Sequence, residues 1–403
     1  MSNLTPAEQS ILATIEMEPM LAQVQQWAAV NSGSANLKGL AQTAAMLSDA
    51  FSILPGKLTL LDAMPTERVM PDGHIENVEH GRHMVMTVRP EAPVQFLFTG
   101  HMDTVFPADH AFQTLQWRED GILNGPGVAD MKGGIAVLLH ALKAIEASKD
   151  VPNFGYQILI NSDEEIGSPS SAPLIARLAK DKTAALTFEP AALPDGTLAG
   201  ARAGSGNFSV IIGGKSAHAG RNPEEGRNAL LAAADLALRM KALTREGLSV
   251  NPAKIDGGSG NNVVPDHAIL RVNLRPHSPE MQEFIYKEIK NLVALIEKEH
   301  EVSAHLHGGF GRPPKPISNS AAVLFDLVKQ CGKDLGLSIG WKSSGGVCDG
   351  NNIAACGIPV VDTMGVRGGA IHSADEYLIT ESLTERARLS ALTILRLAGK
   401  GGL

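Results

Sequence analysis

Short apolar segments alternate with segments of helical periodicity over most of the chain. Residues 6–51 have alanine-rich apolar spacing that predicts two helices, and residues 131–147 predict another. Apolar runs at residues 95–99, 156–161 and 184–188 predict strands, and each is followed within a few residues by acidic or imidazole side chains. Loops at the carboxyl ends of strands in open α/β sheets converge on a crevice, so we expect a site there.

The hydrophobic pattern changes between residues 201 and 316. The predicted elements there are a strand at 206–212, a helix at 225–243, strands at 248–255 and 268–275, a helix at 279–300 and a strand at 302–307. This β-α-β-β-α-β order is that of a ferredoxin-like α+β unit. A proline-rich run at 311–316 predicts the returning linker, and a helix at 321–335 and a strand at 359–364 follow it.

We therefore predict an α/β fold with a mixed sheet flanked by helices and with an α+β lid inserted into it. The first domain would combine residues 1–200 with residues 317–403, and the lid would span residues 201–316. A chain of 403 residues is too long for one ordinary core, which also favours two domains.

Composition excludes several classes of function. Hydrophobic residues make up 44% of the chain, which is too many for a disordered protein. The net charge of −8 argues against nucleic acid or an anionic membrane as partner. No apolar run is long enough to span a bilayer, and the first residues lack the pattern of a signal peptide. Three cysteines without a Cys-x-x-Cys pair favour a reducing compartment, so we expect a cytoplasmic protein.

Candidate metal ligands occur in five short, distinctive contexts. They are His101 in Phe-Thr-Gly-His-Met-Asp-Thr-Val, Asp130 in Gly-Pro-Gly-Val-Ala-Asp-Met-Lys-Gly-Gly, Glu165 in Asn-Ser-Asp-Glu-Glu-Ile-Gly, Glu189 in Thr-Phe-Glu-Pro and His372 in Ile-His-Ser-Ala-Asp-Glu-Tyr-Leu. Imidazole and carboxylate are the ligands of a Zn²⁺-type site that keeps open positions for chemistry. Taken singly, each has an ordinary interpretation: Asp130 would be a good helix N-cap, and a lone loop histidine is seldom a ligand.

Two further acidic features strengthen the metal interpretation. Glu164 and Glu165 end an apolar strand, where two buried like charges would be costly without cations. Adjacent residues of an extended chain point in different directions, so one could bind a metal while the other faces the reacting water. Asp103, two residues after His101, could accept the second imidazole N–H and fix its tautomer.

The chain order His, Asp, Glu-Glu, Glu, His between residues 97 and 378 resembles the M20 metallopeptidases, the superfamily of aminoacylase and carboxypeptidase G2. The resemblance implies a zinc-exopeptidase-like catalytic domain with two divalent ions, Zn²⁺ being favoured and Co²⁺ or Mn²⁺ also suitable. The resemblance further implies that Asp130, Glu165 and His372 bind one metal and that Asp130, His101 and Glu189 bind the other. Asp130 would therefore bridge the two metals, and its peptide bond to Met131 would be cis. Glu164 would be the general base, and Asp103 would orient His101.

The resemblance also assigns roles to the lid. His218, in Gly-Lys-Ser-Ala-His-Ala-Gly, would reach the site of a partner subunit and stabilise the oxyanion, which implies a homodimer formed through the lid. Asn262 and Arg275 match positions that hold the carboxylate of the substrate. Arg312 is a further candidate, although Arg-Pro-Pro is also typical of a plain linker. Gly346 belongs to the glycine-rich loop expected to line the cleft.

Two positions depart from the family pattern. Cys348 stands where many relatives carry serine or threonine, and Ala203 stands where many carry lysine. By contrast, His305 and His307 would lie on one face of a lid strand without a carboxylate nearby in sequence, so we expect them to be structural or exposed.

The glycine-rich loop and residues 366–372 resemble the carboxypeptidase G2 branch more than the acetylornithine or succinyl-diaminopimelate deacylases. We therefore expect a two-metal amide hydrolase that acts on a peptide or an N-acyl amino acid, as a metallo-carboxypeptidase that releases a C-terminal glutamate or a similar residue. The open alternatives are an aminoacylase or N-acyl-amino-acid deacylase, a dipeptidase, and, from another class, a non-catalytic metal-binding homologue.

Overall fold

The computed structural model describes residues 4–149 and 153–402. The helices in these ranges are α1 (Pro6–Ala13), α2 (Met17–Ala28), α3 (Leu37–Phe51), α4 (Gly134–Glu146), α5 (Ala172–Ala179), α6 (Ala229–Ala242), α7 (Pro279–His300), α8 (Asn319–Asp334), α9 (Asp349–Ala355) and α10 (Glu381–Gly399). The strands are β1 (Lys57–Leu61), β2 (Thr66–Val69), β3 (Ile75–Val78), β4 (His83–Val88), β5 (Val94–His101), β6 (Gln116–Glu119), β7 (Ile122–Asn124), β8 (Phe154–Asn161), β9 (Ala184–Thr187), β10 (Leu198–Arg202), β11 (Ser205–Gly213), β12 (Leu248–Gly257), β13 (His267–Pro276), β14 (Ser303–Arg312), β15 (Trp341–Ser344), β16 (Val360–Val361), β17 (Gly368–Gly369) and β18 (Tyr377–Ile379).

The largest sheet has six strands in the order β1-β4-β8-β5-β9-β16. Strands β8, β5, β9 and β16 run parallel, whereas β1 and β4 are antiparallel to their neighbours. Both faces are covered: Phe96 and Phe98 of β5 pack into one core with α4 and α10, and Leu97 packs into another with α5 and α9. The predicted α/β class, with a mixed sheet flanked by helices, is confirmed.

A second sheet lies within residues 205–312 and has the order β12-β13-β11-β14, all antiparallel. Helices α6 and α7 pack on one face of it and form a separate core with residues such as Leu236, Ile289 and Leu270. This is the strand order of a ferredoxin-like unit. We keep the name lid for this unit, and we propose that it is a domain of its own because its core is separate.

The chain enters and leaves the lid at one place. The N–H of Arg202 donates to the carbonyl of Lys315 at 2.9 Å, and the N–H of Lys315 donates to the carbonyl of Arg202 at 3.0 Å. Their side chains also share one buried carboxylate: Asp362 accepts from Nε of Arg202 at 2.8 Å and lies 3.1 Å from Nζ of Lys315. Both lid connections are therefore fixed to each other and to the part of the chain outside the lid. We call that part, residues 4–149, 153–200 and 317–402, the catalytic half.

Two predicted elements were wrong. Residues 6–51 form three helices rather than two, because the backbone is extended at Glu16 between α1 and α2 and leaves the helix again before Asn36, whose side chain accepts the N–H of Gly39 at the start of α3. The strand predicted at 359–364 is only β16, because the chain turns away at Asp362, which binds the lid connections. None of the helices in residues 4–149 and 153–402 combines the length and apolar character needed to cross a membrane.

Candidate active site

Three parallel strands bring four of the candidate residues together. His101 is the last residue of β5; Glu164 and Glu165 form a short turn just after β8; and Glu189 lies two residues beyond β9. Because β5 pairs with both β8 and β9 in parallel register, their carboxyl ends lie side by side. The prediction that candidate ligands follow the carboxyl ends of strands is confirmed for these positions.

Asp130 and His372 come from a different, four-stranded sheet. Strand β7 leads into the turn that holds Asp130, and the loop between β17 and β18 carries His372. These strands pair antiparallel, with Tyr377 opposite Asn124. This pairing joins segments about 250 residues apart and places both side chains beside the strand ends of the main sheet.

Asp130 lies between the two imidazoles. Its Oδ1 is 3.1 Å from Nε2 of His101, and its Oδ2 is 3.3 Å from Nε2 of His372. Nε2 of His372 is also 3.1 Å from Oε2 of Glu165, and Nε2 of His101 is 3.7 Å from Oε2 of Glu189. The peptide bond between Asp130 and Met131 is cis, as the resemblance implied. The two oxygens of one carboxylate thus face two different imidazoles.

The donor atoms form two overlapping groups. His101, Asp130 and Glu165 can bring one ligand atom each within 4.8 Å of one another, and so can His101, Glu164 and Glu189. The groups share His101, whereas the sets implied by the resemblance share Asp130. The observed contacts of Asp130 nevertheless connect both implied sets.

The charges of this cluster suit divalent cations. Burial raises the pKa of Glu165 to about 8, with a further contribution from the nearby charge of Asp130. Burial likewise raises the pKa values of Glu164 and Glu189. Burial acts in the same direction on Asp130, but the hydrogen bonds from the two imidazoles outweigh it and lower its pKa. Four carboxylates with little solvent exposure beside two imidazoles leave an excess of negative charge that added cations would neutralise, so the donor set fits metal ions.

Asp103 connects the first ligand to the candidate base. Nδ1 of His101 is 3.0 Å from the carbonyl oxygen of Asp103 and 3.4 Å from its Oδ1. The carboxylate of Asp103 also accepts the N–H groups of Glu164 and Glu165 at 3.2 and 3.1 Å and the hydroxyl of Ser34 at 2.7 Å. Asp103 therefore fixes both the imidazole and the turn that carries the two glutamates.

A cavity of about 1570 Å³ opens onto the cluster and is lined by residues of both the catalytic half and the lid. Arg275 and Gly346 lie in its wall. Arg275 is half-buried; its Nε donates to Asn273 at 2.9 Å, and no ion pair to it occurs among the described residues. Arg312 also lines the cavity, but its guanidinium is 2% exposed and paired with Glu164.

Two predicted lid residues lie elsewhere. His218 and Asn262 are not among the residues that line this cavity, and both are exposed. They are neighbours, because the N–H of Ala219 donates to the carbonyl of Asn262 at 2.9 Å. In this chain they form a separate polar edge of the lid.

The departures from the family pattern lie close to the site. Cys348 is buried, and its N–H donates to Asn351 at the start of α9. The carbonyl of Ala203 accepts from the same Asn351.

His305 is exposed and His307 is half-buried at the cavity wall, and neither belongs to a metal-ligating group among the described residues.

The sequence did not single out Glu376 as a site residue. Its buried carboxylate accepts the N–H of Gly127 at 3.0 Å on one oxygen and those of Ala129 and Asp130 at 2.9 and 3.0 Å on the other. It thereby ties the His372 segment to the backbone of the Asp130 turn. Its place four residues after His372 was the available signal, but its partners depend on the β7–β18 pairing.

Comparison with known proteins defines the class to which this fold and site belong. The profile of Peptidase family M20/M25/M40 matches residues 97–396, and the chain belongs to this family. Carboxypeptidase G2 from Pseudomonas sp. (strain RS-16) is 32% identical over 326 residues, covering 79% of this chain and 78% of that protein. Succinyl-diaminopimelate desuccinylase from Verminephrobacter eiseniae (strain EF01-2) is 27% identical over 303 residues, covering 70% and 73%. A tripeptidase from Staphylococcus aureus superposes with a TM-score of 0.74 and 27% identity, over 96% of this chain and 99% of that chain.

Family membership confirms the predicted enzyme class. The chain is a hydrolase that acts on peptide or amide bonds, and its substrates are peptides or amino-acid derivatives. The family is metal-dependent and uses dinuclear sites, in keeping with the donor groups around Asp130.

Proposed function

We propose that this enzyme is a two-metal-dependent carboxypeptidase that cleaves the amide bond next to a free carboxylate, with glutamate or a similar acidic residue released. The observation that carries the proposal is the position of Asp130, whose two oxygens face His101 and His372 at 3.1 and 3.3 Å at the base of a cleft. A likeness to carboxypeptidase G2, at 32% identity, supports the carboxypeptidase class.

The residues that would hold the metals are the five predicted ligands. Asp130, Glu165 and His372 would bind one ion; Asp130, His101 and Glu189 would bind the other. When bound, two divalent cations polarise a scissile carbonyl and lower the pKa of the attacking water. Imidazole and carboxylate donors suit Zn²⁺, and also Co²⁺ or Mn²⁺.

Glu164 would move the proton. It is the one glutamate of the cluster that the proposal leaves without a metal, and it lies beside Glu189 and His101. As general base it takes a proton from the attacking water, and as general acid it gives that proton to the leaving amine. Asp103 would keep His101 in the tautomer that presents Nε2 to the metal.

Arg275 would bind the substrate carboxylate. It is a half-buried guanidinium in the cavity wall without an ion-pair partner among the described residues, so it has donors available for a bidentate pair. A carboxylate held there would lie between the lid and the metal cluster, which orients the scissile bond.

We also propose a homodimer in which the edge formed by His218 and Asn262 serves the cleft of the partner. Both residues are exposed and lie outside their own cavity. The same lid exposes Leu231 and Leu238 on α6, at 61% and 74%, and leaves β12 as a sheet edge. Exposed apolar side chains and an unpaired strand edge are features that a partner subunit would cover.

A chelator experiment tests the proposed chemistry. Hydrolysis of N-acyl amino acids or peptides should disappear after treatment with a chelator and return on addition of Zn²⁺ or Co²⁺. Activity that survives complete metal removal, checked by metal analysis, would contradict the two-metal mechanism.

A substrate panel tests the carboxypeptidase assignment. N-acyl amino acids and dipeptides that differ only in the C-terminal side chain should show the highest kcat/KM for Glu or Asp. Equal or better rates with Ala, Leu or Gly would instead favour an aminoacylase or a dipeptidase.

A further inference from the structure

Arg312 is a lid residue whose side chain reaches the catalytic half. It is the last residue of β14, opposite Ser205 at the start of β11, where the chain leaves the lid sheet. The arginine is buried, so its guanidinium is held by protein groups rather than by water.

One nitrogen of the guanidinium binds the candidate general base. Nη2 of Arg312 lies 2.6 Å from Oε1 of Glu164 and 3.2 Å from the carbonyl oxygen of the same residue. Two contacts from one nitrogen, to the side chain and to the backbone of Glu164, restrict both the rotamer and the position of this glutamate.

The other nitrogen anchors the arginine. Nη1 forms an ion pair with Asp349 at the start of α9 and donates to Oδ1 of Asn352 at 2.7 Å. Asp349 is itself fixed, because Ser168 donates to its Oδ1 at 2.6 Å and Asn161 donates to its Oδ2 at 2.8 Å. Nη1 of the guanidinium is therefore held by a buried network, while Nη2 binds Glu164.

The geometry of this network argues against a primary role in substrate binding. The two terminal nitrogens are already engaged by Glu164, Asp349 and Asn352, and Nε is buried without a partner among the described residues. A buried guanidinium between two carboxylates is sensitive to geometry, because each charge loses its compensation when a partner moves. Such an arrangement suits the placement of a side chain better than the capture of a ligand.

We propose that Arg312 is a positioning residue for Glu164 and that it makes the position of the base dependent on the lid. This inference rests on the proposed function of Glu164. Arg312 belongs to the return strand of the lid, whereas Asp349 and Glu164 belong to the catalytic half. The substrate contact that the resemblance suggested for Arg312 is the competing role.

The test compares Arg312→Met and Arg312→Lys with Arg239→Met, a control that removes a lid arginine paired with Asp235 and Glu299 away from the cleft. Arg312→Met should lower kcat about 100-fold and change KM by less than about threefold, because it acts through the base. Lysine should restore part of kcat, since its ammonium can pair with Glu164 but lacks the fork that also reaches Asp349. Metal content should stay at the wild-type level in all variants.

A double-mutant cycle separates the two roles. If Arg312 acts through Glu164, adding Arg312→Met to Glu164→Gln should leave the residual kcat within about twofold, because the effects of coupled residues are not additive. A further loss of about 100-fold, or a large rise in KM with kcat retained, would overturn the proposal in favour of substrate binding.

Two controls distinguish loss of positioning from loss of folding and from failure of the proposed function. If Arg312→Met fails to fold, as judged by circular dichroism, Arg312→Lys and Asp349→Asn carry the test, and both should lower kcat more than they change KM. If the folded variants keep the wild-type kcat, the positioning role is overturned. The proposed function still stands in that case, provided that the activity of the wild type is lost on treatment with a chelator. A wild type without such activity would overturn both.

Discussion

The cluster of candidate metal ligands and the polar edge of the lid, formed by His218 and Asn262, differ in how complete they are within one chain. The candidate ligands are brought into contact by strand pairing, and most of them are buried. His218 and Asn262 are exposed and lie outside the cavity of their own subunit. A site at the ends of parallel strands is assembled when one chain folds, whereas residues on an exposed edge need a second surface to form a site.

This difference has a consequence for mutagenesis. Substitutions in the cluster should act within the subunit that carries them. In the proposed homodimer, substitutions on the lid edge should act on the neighbouring subunit. Arg275 belongs to the first group despite its place in the lid, because it lines its own cavity. Four predictions test or sharpen this contrast.

The largest effect is expected for Glu164→Gln. Loss of the general base should lower kcat by about 100-fold or more, while metal content and folding stay at the wild-type level. Steady-state kinetics and metal analysis check this. Glu67→Gln is the matched control, because Glu67 lines the same cavity on β2 without belonging to a ligand group among the described residues. An unchanged rate in Glu164→Gln would assign the base to another residue.

The next effect concerns metal binding rather than turnover. Glu376→Gln replaces one acceptor oxygen by an amide that presents N–H groups to the backbone N–H groups of the Asp130 turn. Metal affinity should fall by roughly 10- to 100-fold, as for other groups that orient ligands. Competition with a chromophoric chelator measures it, and Glu381→Gln on the surface of α10 is the control. Wild-type affinity in Glu376→Gln would show that the turn holds its shape without this carboxylate.

Subunit mixing tests the contrast directly. His218→Ala and Glu164→Gln should each be nearly inactive, but after subunit exchange their mixture should regain up to about one quarter of wild-type activity, because half of the dimers are hybrids with one intact site. The mixture of Arg275→Ala with Glu164→Gln should stay inactive, since both residues serve the same cleft. Rescue in the second mixture, or none in the first despite proven exchange, would contradict the assignment.

The smallest effect concerns the pH dependence of stability, which should involve the catalytic half rather than the lid. Burial, with the nearby charge of Lys143, lowers the pKa of His140 on α4 to about 4. The unfolded chain therefore binds this proton first, and the catalytic half should lose stability as the pH falls from about 6.5 to about 4. The loss is at most about 3 kcal/mol, and partial solvent screening should leave about 1–2 kcal/mol.

Acid titration of thermal unfolding checks this last prediction. His140→Gln should flatten the pH dependence of Tm above pH 4 because glutamine does not titrate. His305→Gln, which removes an exposed lid histidine, should leave the curve unchanged. Equal curves for the wild type and His140→Gln would show that other groups dominate acid unfolding.

The sequence allowed much of the cluster to be predicted because its members follow local patterns. His101, Glu165 and Glu189 each lie at the end of an apolar strand or within four residues after it, so strand prediction and side-chain chemistry were sufficient to place them at one sheet edge. The lid could be predicted for the same reason, since its alternating strands and helices follow one another along the chain and pair as a ferredoxin-like unit.

The remaining features depend on contacts between distant segments. Glu376 binds the Asp130 turn only because β18 pairs with β7, and no local pattern specifies that pairing. Arg312 lies in a stretch that is typical of a linker, yet the fold places it between Glu164 and Asp349. The extra helix near the N-terminus was missed because a short break in the helical backbone, such as the extended residue Glu16 between α1 and α2, interrupts a segment that the alanine-rich pattern alone would continue.

The paired connections at Arg202 and Lys315 have a consequence for protein engineering. An antiparallel pair of residues is the geometry that a two-residue hairpin turn can close. The chain on either side of residues 203–314 would therefore need only a short turn to become continuous, and Asp362 would still hold both of its ends. Exchange of the lid for another unit at this point would leave the six-stranded sheet as it is, and it is a practical route to enzymes with new substrate ranges.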